Sequence, residues 1–439
     1  MSPTPLGEGN VPEPEERDGN ATVELKTNVL DDPDPSFPLA AAVPTPAQPA
    51  SHILNHPNSE TPSSAAPHGP AEVPPPIPVV IDVHDIDWCA VRTRIDIGGI
   101  RSRMSDTIVR MENLLSQSAG AGMLFDADRT CPADKVIQVN HAGNDQPLWI
   151  IGDLHGDLLA LEAALMLVRG HVQHGSARSR IVFLGDLFDD EGFGLEVLLR
   201  VFEIILEDPS LICVLAGNHD EALGHDGTKF VSTVSPSDFS DFLNTHVGDE
   251  WIERAGKLTI KFFLSAPRAL FFPDGLLVTH GGFPLTDLHL QLRESGDWND
   301  PACLSDFVWT RAHSTARKKI PNRFSRGSQY GYEDFAAFCS LASDLARPVT
   351  HMVRGHDHVE ERFAIYPNYS AHPVLTTVAL SRRLLREFLG TYERLPSVAL
   401  YVEGQVPQVF RLHIPSDLIR CIYPEPVGSG DPEGLGTGE

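Results

Sequence analysis

Short apolar segments alternate with stretches of helical periodicity over the middle of the chain. Apolar residues recur three or four positions apart between residues 98 and 117, which predicts an amphipathic helix there. Two further helical patterns, over residues 158–168 and 195–206, lie between short apolar runs that are typical of buried strands. We expect strands at residues 148–151, 181–184, 211–215, 276–279, 352–353, 374–380, 398–402 and 409–412.

This alternation of strands and helices predicts the fold class. Fully apolar strands are typical of sheets that are covered on both faces, and the intervening helices provide that cover. The strand-rich last third of the chain favours a second sheet packed against the first. We therefore predict a four-layer α/β domain, in which two packed mixed β-sheets are flanked by α-helices.

The two ends of the chain differ in composition from the middle. Residues 1–80 hold 18 of the 36 prolines, eleven acidic and two basic residues, and no periodic apolar pattern. Residues 423–439 are rich in Gly and Pro, with four acidic residues and no basic one. We expect a disordered leader at 1–80, one globular domain at 81–422 and a flexible tail at 423–439. The proline-rich leader is also a candidate segment for binding a partner.

Charge and hydrophobicity exclude several classes of partner. With 34 basic and 60 acidic residues the formal net charge is -26, so we expect no binding to nucleic acid or anionic membranes, which needs clustered cations. No apolar run reaches the ~20 residues of a membrane span, and residues 1–20 lack a secretory signal pattern. The six cysteines are scattered, without a C-x-x-C pair. We therefore expect a cytoplasmic protein.

A polar element follows five of the predicted strands. Each combines a glycine, which permits a sharp turn, with Asp, Asn or His. In α/β sheets the carboxyl ends of the strands are where ligands bind. The five elements are Gly152-Asp153-Leu154-His155-Gly156, Gly185-Asp186-Leu187-Phe188-Asp189-Asp190, Gly217-Asn218-His219-Asp220, His280-Gly281-Gly282 and Gly355-His356-Asp357-His358.

These residue types are suited to binding a pair of metal ions. Carboxylate, imidazole and amide groups are ligands for borderline divalent metals. Asp153 and His155 are two positions apart, so both reach one ion from an extended backbone, and one Asp between two ions can bridge them. Two ions ~3.5–4 Å apart generate hydroxide from water and clamp an oxyanion during in-line displacement. His219, next to Asn218, is placed to protonate a leaving group.

In these elements the sequence resembles the calcineurin-like metallophosphoesterase superfamily. The resemblance covers about residues 148–359 and is strongest to the serine/threonine phosphoprotein phosphatase branch. It rests on the Gly-Asp-x-His-Gly element, Asp186-x-x-Asp189, residues 278–282, Trp309 and Arg354-Gly355-His356. It implies the same two-sheet sandwich and two divalent or trivalent metal ions, of Mn, Fe or Zn.

The resemblance also implies a role for each matching residue. His219 would be the general acid, oriented by Asp189. His358 matches a ligand of the wider superfamily rather than of the phosphoprotein phosphatase branch. The implied metal ligands are Asp153, His155 and His358 for the first ion, Asn218, His280 and His356 for the second, and Asp186 as the bridge.

One element departs from the phosphoprotein phosphatase pattern. Those enzymes carry Asp-Arg-Gly, with an arginine that grips phosphate, where this chain has residues 189–192 of sequence Asp-Asp-Glu-Gly. Arg326 aligns best with a later arginine of the family, and Arg354 lies beside a predicted ligand, so we predict both to bind substrate. The basic residues between 311 and 326 form either a solvated loop face or a rim for an anionic substrate.

Three functions remain open at this point. The first is a dinuclear-metal-dependent phosphatase acting on phosphomonoesters, with phosphoserine and phosphothreonine in proteins among the candidate substrates. The second, which the missing arginine favours, is a nucleotide or phosphodiester hydrolase, such as a dinucleoside polyphosphate hydrolase. The third is an inactive phosphatase-like binding module. The expected partner of an active enzyme is a phosphorylated protein or small molecule.

Overall fold

The strands and helices that follow come from a computed structural model, which describes residues 78–117, 120–140, 146–173, 179–190, 192–323, 325–387 and 390–425. Residues 1–77 of the predicted leader and 426–439 of the predicted tail lie outside the described residues.

The strands in these ranges are β1 (Val79–Val83), β2 (Val136–Gln138), β3 (Leu148–Ile151), β4 (Arg180–Phe183), β5 (Ile212–Val214), β6 (Leu223–His225), β7 (Phe230–Ser232), β8 (Ala269–Phe271), β9 (Leu276–Thr279), β10 (Arg311–Ala312), β11 (Ile320–Pro321), β12 (Ser328–Tyr330), β13 (His351–Arg354), β14 (Phe363–Ile365), β15 (Val374–Thr377), β16 (Ser397–Tyr401) and β17 (Gln408–Leu412).

The helices are α1 (Trp88–Arg94), α2 (Ile97–Ser102), α3 (Met104–Leu115), α4 (Leu158–Gln173), α5 (Gly194–Glu207), α6 (Asn218–Ala222), α7 (Asp238–Thr245), α8 (Glu250–Ser265), α9 (His289–Ser295), α10 (Pro301–Trp309), α11 (Tyr332–Leu345) and α12 (Ser416–Ile422). Within the ranges given above, none of them combines the length and the apolar character needed to cross a membrane.

Two six-stranded sheets form the centre of the fold. The first has the order β1-β17-β16-β3-β4-β5, and its strands β3, β4 and β5 run parallel. The second has the order β14-β15-β13-β9-β8-β2, and its strands β15, β13 and β9 run parallel. Antiparallel pairs, such as β16 with β3 and β8 with β9, make both sheets mixed. The prediction of two mixed sheets is confirmed.

The side chains of β3 show how the layers pack. Leu148 and Ile150 belong to the apolar cluster between the two sheets, whereas Trp149 and Ile151 belong to the cluster that contains α4 and α5. Alternate residues of a strand point to opposite faces, so a fully apolar strand is covered on both sides. A third cluster packs the outer face of the second sheet against α9, α10 and α11. Both outer layers are therefore helical, as predicted.

The two sheets are joined at the edge where the parallel strands end. The backbone N–H of Ala379 donates to the carbonyl of Asp153 at 3.0 Å, and that of Gly355 donates to the carbonyl of His280 at 3.0 Å. The first bond ties the loop after β3 in one sheet to the segment after β15 in the other, and the second ties the loops after β13 and β9 within the second sheet. The polar elements that follow these strands meet at this edge.

The structure differs from the sequence predictions at three boundaries. The helix predicted at 98–117 is divided at Arg103, and Asp96 caps the first part by accepting from the N–H of Gly99 at 2.9 Å. Strand β1 begins at Val79, before the predicted end of the leader, and pairs with β17. Tyr423, placed in the predicted tail, is buried, and its hydroxyl accepts from the N–H of Leu158 at 2.8 Å.

Two shortened chains are expected to behave differently because of β1. A chain that starts at residue 76 keeps β1, and should retain its melting temperature and its kcat within tenfold. A chain that starts at residue 85 loses Ile81 and Val83, which pack on the core, and exposes the edge of β17. We expect this to cost about 2 kcal/mol or more, roughly 4 °C in Tm. Equal melting temperatures, measured by calorimetry, would contradict a structural role for β1.

Candidate metal centre

Side chains from five strand ends converge at the edge that joins the two sheets. Three groups of His and Asp side chains each have one ligand-type atom within 4.8 Å of the others. All of these side chains except that of His358 are fully buried or nearly so. The groups are Asp153, His155 and His358; His155, Asp186 and His219; and Asp186, His280 and His356.

The first half of the cluster is built by the loops after β3 and β13. The Nε2 atom of His358 lies 3.1 Å from Oδ2 of Asp153 and 3.2 Å from Nε2 of His155. His358 is therefore brought to the same point as the two residues that follow β3. On its other side, Nδ1 of His358 lies 3.4 Å from Oε1 of Glu387.

The second half of the cluster is built around His280, which follows β9. Its Nε2 atom lies 3.0 Å from Nδ1 of His356, 3.1 Å from Oδ1 of Asn218 and 3.4 Å from Oδ2 of Asp186. The same Oδ2 atom of Asp186 lies 3.6 Å from Nε2 of His155 in the first half. Asp186 is thus the residue that the two halves share.

The donor set fits a cation in each half. Nδ1 of His155 donates to the carbonyl of Phe188 at 3.1 Å, and Nδ1 of His280 donates to that of Leu184 at 3.0 Å. The Nε2 atoms of both rings therefore present lone pairs to neighbouring carboxylates and imidazoles. Lone pairs and carboxylates that face one another repel unless a cation lies among them.

The electrostatics of the cluster agree with this interpretation. Burial lowers the pKa of His155 and that of His356 well below the usual value for histidine, which keeps both rings neutral and able to bind metal. Burial also lowers the pKa of His280, but the carboxylates of Asp186 and Asp153 outweigh it and raise this pKa overall. The space around His280 therefore attracts positive charge.

Several residues of the cluster have a left-handed backbone conformation. These are His155 (φ 40°), Asp186 (φ 52°), Asp189 (φ 71°), Asp190 (φ 62°) and His356 (φ 68°). Such a conformation is uncommon outside glycine and costs about 1–3 kcal/mol per residue, which the surrounding structure must offset. Strain of this kind concentrates at functional sites, where it aims side chains.

Two glycines allow the backbone to approach the carboxylates. A Cβ atom on Gly355 would lie 2.2 Å from Oδ1 of Asp153, and one on Gly217 would lie 2.2 Å from Oδ1 of Asp186. Any side chain at these positions would displace the carboxylates. Because the space is free, the N–H of His356 donates to Asp153 at 3.0 Å and that of His219 donates to Asp186 at 2.9 Å.

His219 lies beside the cluster and is held by a buried carboxylate. Its Nδ1 atom is 2.6 Å from Oδ2 of Asp189, whose Oδ1 accepts from the N–H of Phe239 at 2.9 Å. Burial lowers the pKa of His219, but the charge of Asp186 and the hydrogen bond to Asp189 raise it overall to about 8. This imidazole is therefore able to carry a proton near neutral pH.

Residues 146–360 match the sequence profile of the calcineurin-like phosphoesterase family. The chain contains a calcineurin-like phosphoesterase domain. The match includes all five of the strand-end elements that build the cluster.

Curated relatives of this chain are protein phosphatases by name. The chain is 23% identical over 231 residues to the serine/threonine-protein phosphatase 6 catalytic subunit of Caenorhabditis elegans. This match covers 52% of the chain and 63% of that protein. The chain is also 24% identical over 276 residues to the serine/threonine-protein phosphatase C23G10.1 of the same species, covering 61% and 54%. The chain thus spans about half to two thirds of the length of these relatives.

Solved structures of phosphatases also resemble it. A protein serine/threonine phosphatase from Saccharomyces cerevisiae matches with a TM-score of 0.47 and 16% identity, covering 71% of this chain and 90% of that one. A protein-tyrosine phosphatase from a Shewanella species matches with a TM-score of 0.37 and 17% identity, covering 64% and 81%.

The two arginines predicted to bind substrate occupy different positions in this phosphoesterase domain. Arg354 is fully buried, and its guanidinium donates to the carbonyl of Gly281 and to Asp357. It supports the loop that carries His356 and does not reach solvent. Its role in binding substrate stays a prediction. Arg326 is exposed and stacks on the ring of Trp309, with 4.8 Å between its Cζ and the ring centroid. Its role stays a prediction.

Much of the basic stretch at 311–326 is paired with acidic side chains. Arg317 pairs with Glu333, and Lys319 pairs with Asp287 at 2.9 Å. Arg311 donates to Asp357 and to the carbonyl of His356, at 3.0 and 2.8 Å. These contacts favour the interpretation of this stretch as a loop face that carries ion pairs.

Sequence reasoning missed a cationic side chain that lies at the cluster. Arg386 has one Nη2 atom 2.8 Å from Oδ2 of Asp190, 3.3 Å from Nε2 of His155 and 3.4 Å from Nδ1 of His358. It lies in the segment after β15, whose carboxyl end faces the same edge as those of β9 and β13. The strand-end rule, applied to the predicted strand at 374–380, would have pointed to this segment.

Proposed function

We propose that this chain is a dinuclear metal-dependent phosphatase that hydrolyses phosphomonoesters, with phosphoserine and phosphothreonine side chains of proteins among its substrates. The observation that carries the proposal is a cluster of Asp, Asn and His atoms in two halves that share Asp186, with the His219–Asp189 pair beside it. The phosphatase names of the curated relatives support a phosphorylated protein as substrate.

Each half of the cluster would hold one metal ion. Asp153, His155 and His358 would bind the first, and the residues around His280 would bind the second, with Asp186 common to both. When bound, two such ions supply an activated water molecule and neutralise charge on the phosphoryl oxygens.

His219 would protonate the oxygen of the departing alcohol. Its Nδ1 proton is shared with Asp189, so the ring is oriented with Nε2 as the atom that can deliver a proton. Asp189 is itself fixed by the N–H of Phe239, which prevents the carboxylate from rotating away. The pair therefore holds a proton donor in one orientation next to the ligands.

A specific observation favours a second candidate function. His358 completes the first half of the cluster, and the phosphoprotein phosphatase branch does not usually carry a histidine there. A nucleotide or phosphodiester hydrolase on the same metal centre would show the ligand pattern of the wider superfamily. We keep this function as the alternative that substrate comparison must decide.

Metal analysis followed by a substrate panel tests the proposal. The full chain, loaded with Mn, Fe or Zn, should contain about two ions by mass spectrometry of the metals. It should hydrolyse phosphoserine peptides and p-nitrophenyl phosphate faster than bis-p-nitrophenyl phosphate, cyclic nucleotides or dinucleoside polyphosphates. His225→Ala, at a histidine outside the cluster, is the matched control for His→Ala variants at the ligands. A preference for diesters would support the second function, and a chain without bound metal or turnover would reject both.

A further inference from the structure

The carboxylate of Asp190 creates an electrostatic problem for a phosphatase. Asp190 lies in the element that, by the resemblance, corresponds to the Asp-Arg-Gly of the phosphoprotein phosphatases, and it is 7% exposed. Its Oδ2 atom lies 3.1 Å from Nδ1 of His155. A phosphate bound at the cluster would meet a negative charge where those enzymes provide a positive one.

Arg386 supplies a positive charge at this place from another part of the chain. Its guanidinium pairs with Asp190 at 2.8 Å and also lies within 3.4 Å of His155 and His358. About a third of its side chain (35%) is exposed, so a substrate can reach it from solvent. Of the arginines that contact the loop of His356, Arg354 is fully buried and Arg311 is engaged by Asp357.

The segment that carries Arg386 is fixed by several contacts. Glu387 forms a two-pronged ion pair with the buried Arg362, at 2.8 and 2.9 Å. Arg382, four residues earlier, donates to the backbone carbonyl of Asp190 at 2.8 Å. The guanidinium of Arg386, which pairs with Asp190, is therefore held in place before substrate binds, and this reduces the entropy lost on binding.

We propose that Arg386 binds the phosphoryl oxygens of the substrate and replaces the arginine missing from residues 189–192. This inference rests on the proposed function. An arginine presents several N–H donors in a planar fork that matches phosphate oxygens. A monoester dianion carries more charge and more free oxygens than a diester, so Arg386 favours phosphomonoesters over diesters.

Binding of inorganic phosphate to the metal-loaded full chain is the direct test. Arg386→Ala should raise the Kd of phosphate, measured by titration calorimetry, by about 10- to 100-fold. The metal content should stay unchanged, because arginine is not a ligand. Arg420→Ala, an exposed arginine that pairs with Glu393, is the charge-matched control and should leave this Kd unchanged. Arg386→Ala should also lower kcat/KM more for p-nitrophenyl phosphate than for its bis ester.

A double variant separates direct binding from simple charge neutralisation. If Arg386 only offsets Asp190, then Asp190→Asn combined with Arg386→Ala should restore phosphate affinity, and this outcome would overturn the inference. An unchanged Kd in Arg386→Ala, or a loss confined to Arg326→Ala, would overturn it as well. If the wild-type chain hydrolysed no phosphoester, but the Arg386→Ala variant still bound phosphate more weakly than the wild type, the proposed function would be rejected and the inference would stand.

Discussion

Replacing Asp186 by Asn is expected to remove metal from both halves of the cluster and to lower kcat/KM by about a thousandfold or more. The substitution keeps the shape of the side chain, but it places a neutral amide where one carboxylate oxygen faces both His155 and His280. Stabilisation of the transition state by metal ions is worth several kcal/mol, and about 4 kcal/mol corresponds to three powers of ten. Metal content and steady-state kinetics on one preparation measure both effects.

His280→Ala is the control that makes the Asp186 result specific. His280 faces Asn218 and His356, so its loss should empty mainly the second half and leave about one ion per chain. Asp186→Asn should leave fewer ions than His280→Ala at the same free metal concentration. An Asp186→Asn chain with two ions and full activity would show that the two halves do not share this residue.

The positions of the ligand-type residues could be predicted because one simple rule governs them. Each of these residues follows a short apolar run and lies next to a glycine. The glycine comes directly before Asp153, Asp186, Asn218 and His356, and directly after His280. Parallel strands end at the same edge of a sheet, so residues far apart in sequence come together there. The structure brings all five to one cluster.

The environment of the arginines could not be read from the same pattern. Alternation along β13 places Arg354 on the same face as Met352, and that face is covered by the cluster that contains Tyr330 and Tyr366. The cover comes from residues before and after the strand, which the local sequence does not reveal. Arg386 lies in an irregular segment, where no periodic pattern fixes the direction of a side chain.

His219→Asn is expected to slow the hydrolysis of phosphoserine peptides by about 10²–10⁴-fold, while p-nitrophenyl phosphate is affected much less. A serine alkoxide is a poor leaving group and needs a proton as it departs, whereas nitrophenolate is already stable as an anion. Metal content should not change, because the amide of Asn218, and not the ring of His219, faces His280 at 3.1 Å. Parallel kinetics on both substrates, with metal analysis of the same samples, measure this difference.

Asp189→Asn distinguishes a proton donor from a residue that only shapes the site. This variant keeps the His219 ring but removes the charge 2.6 Å from its Nδ1, so the imidazole holds its proton less firmly. Its rate of hydrolysis of phosphoserine peptides should lie between the rates of the wild type and of His219→Asn. Its rate on p-nitrophenyl phosphate should again change little. If both variants slowed the two substrates equally, the loss would not depend on the leaving group. His219 would then act in binding or folding, and the leaving oxygen would receive its proton from another group or from water.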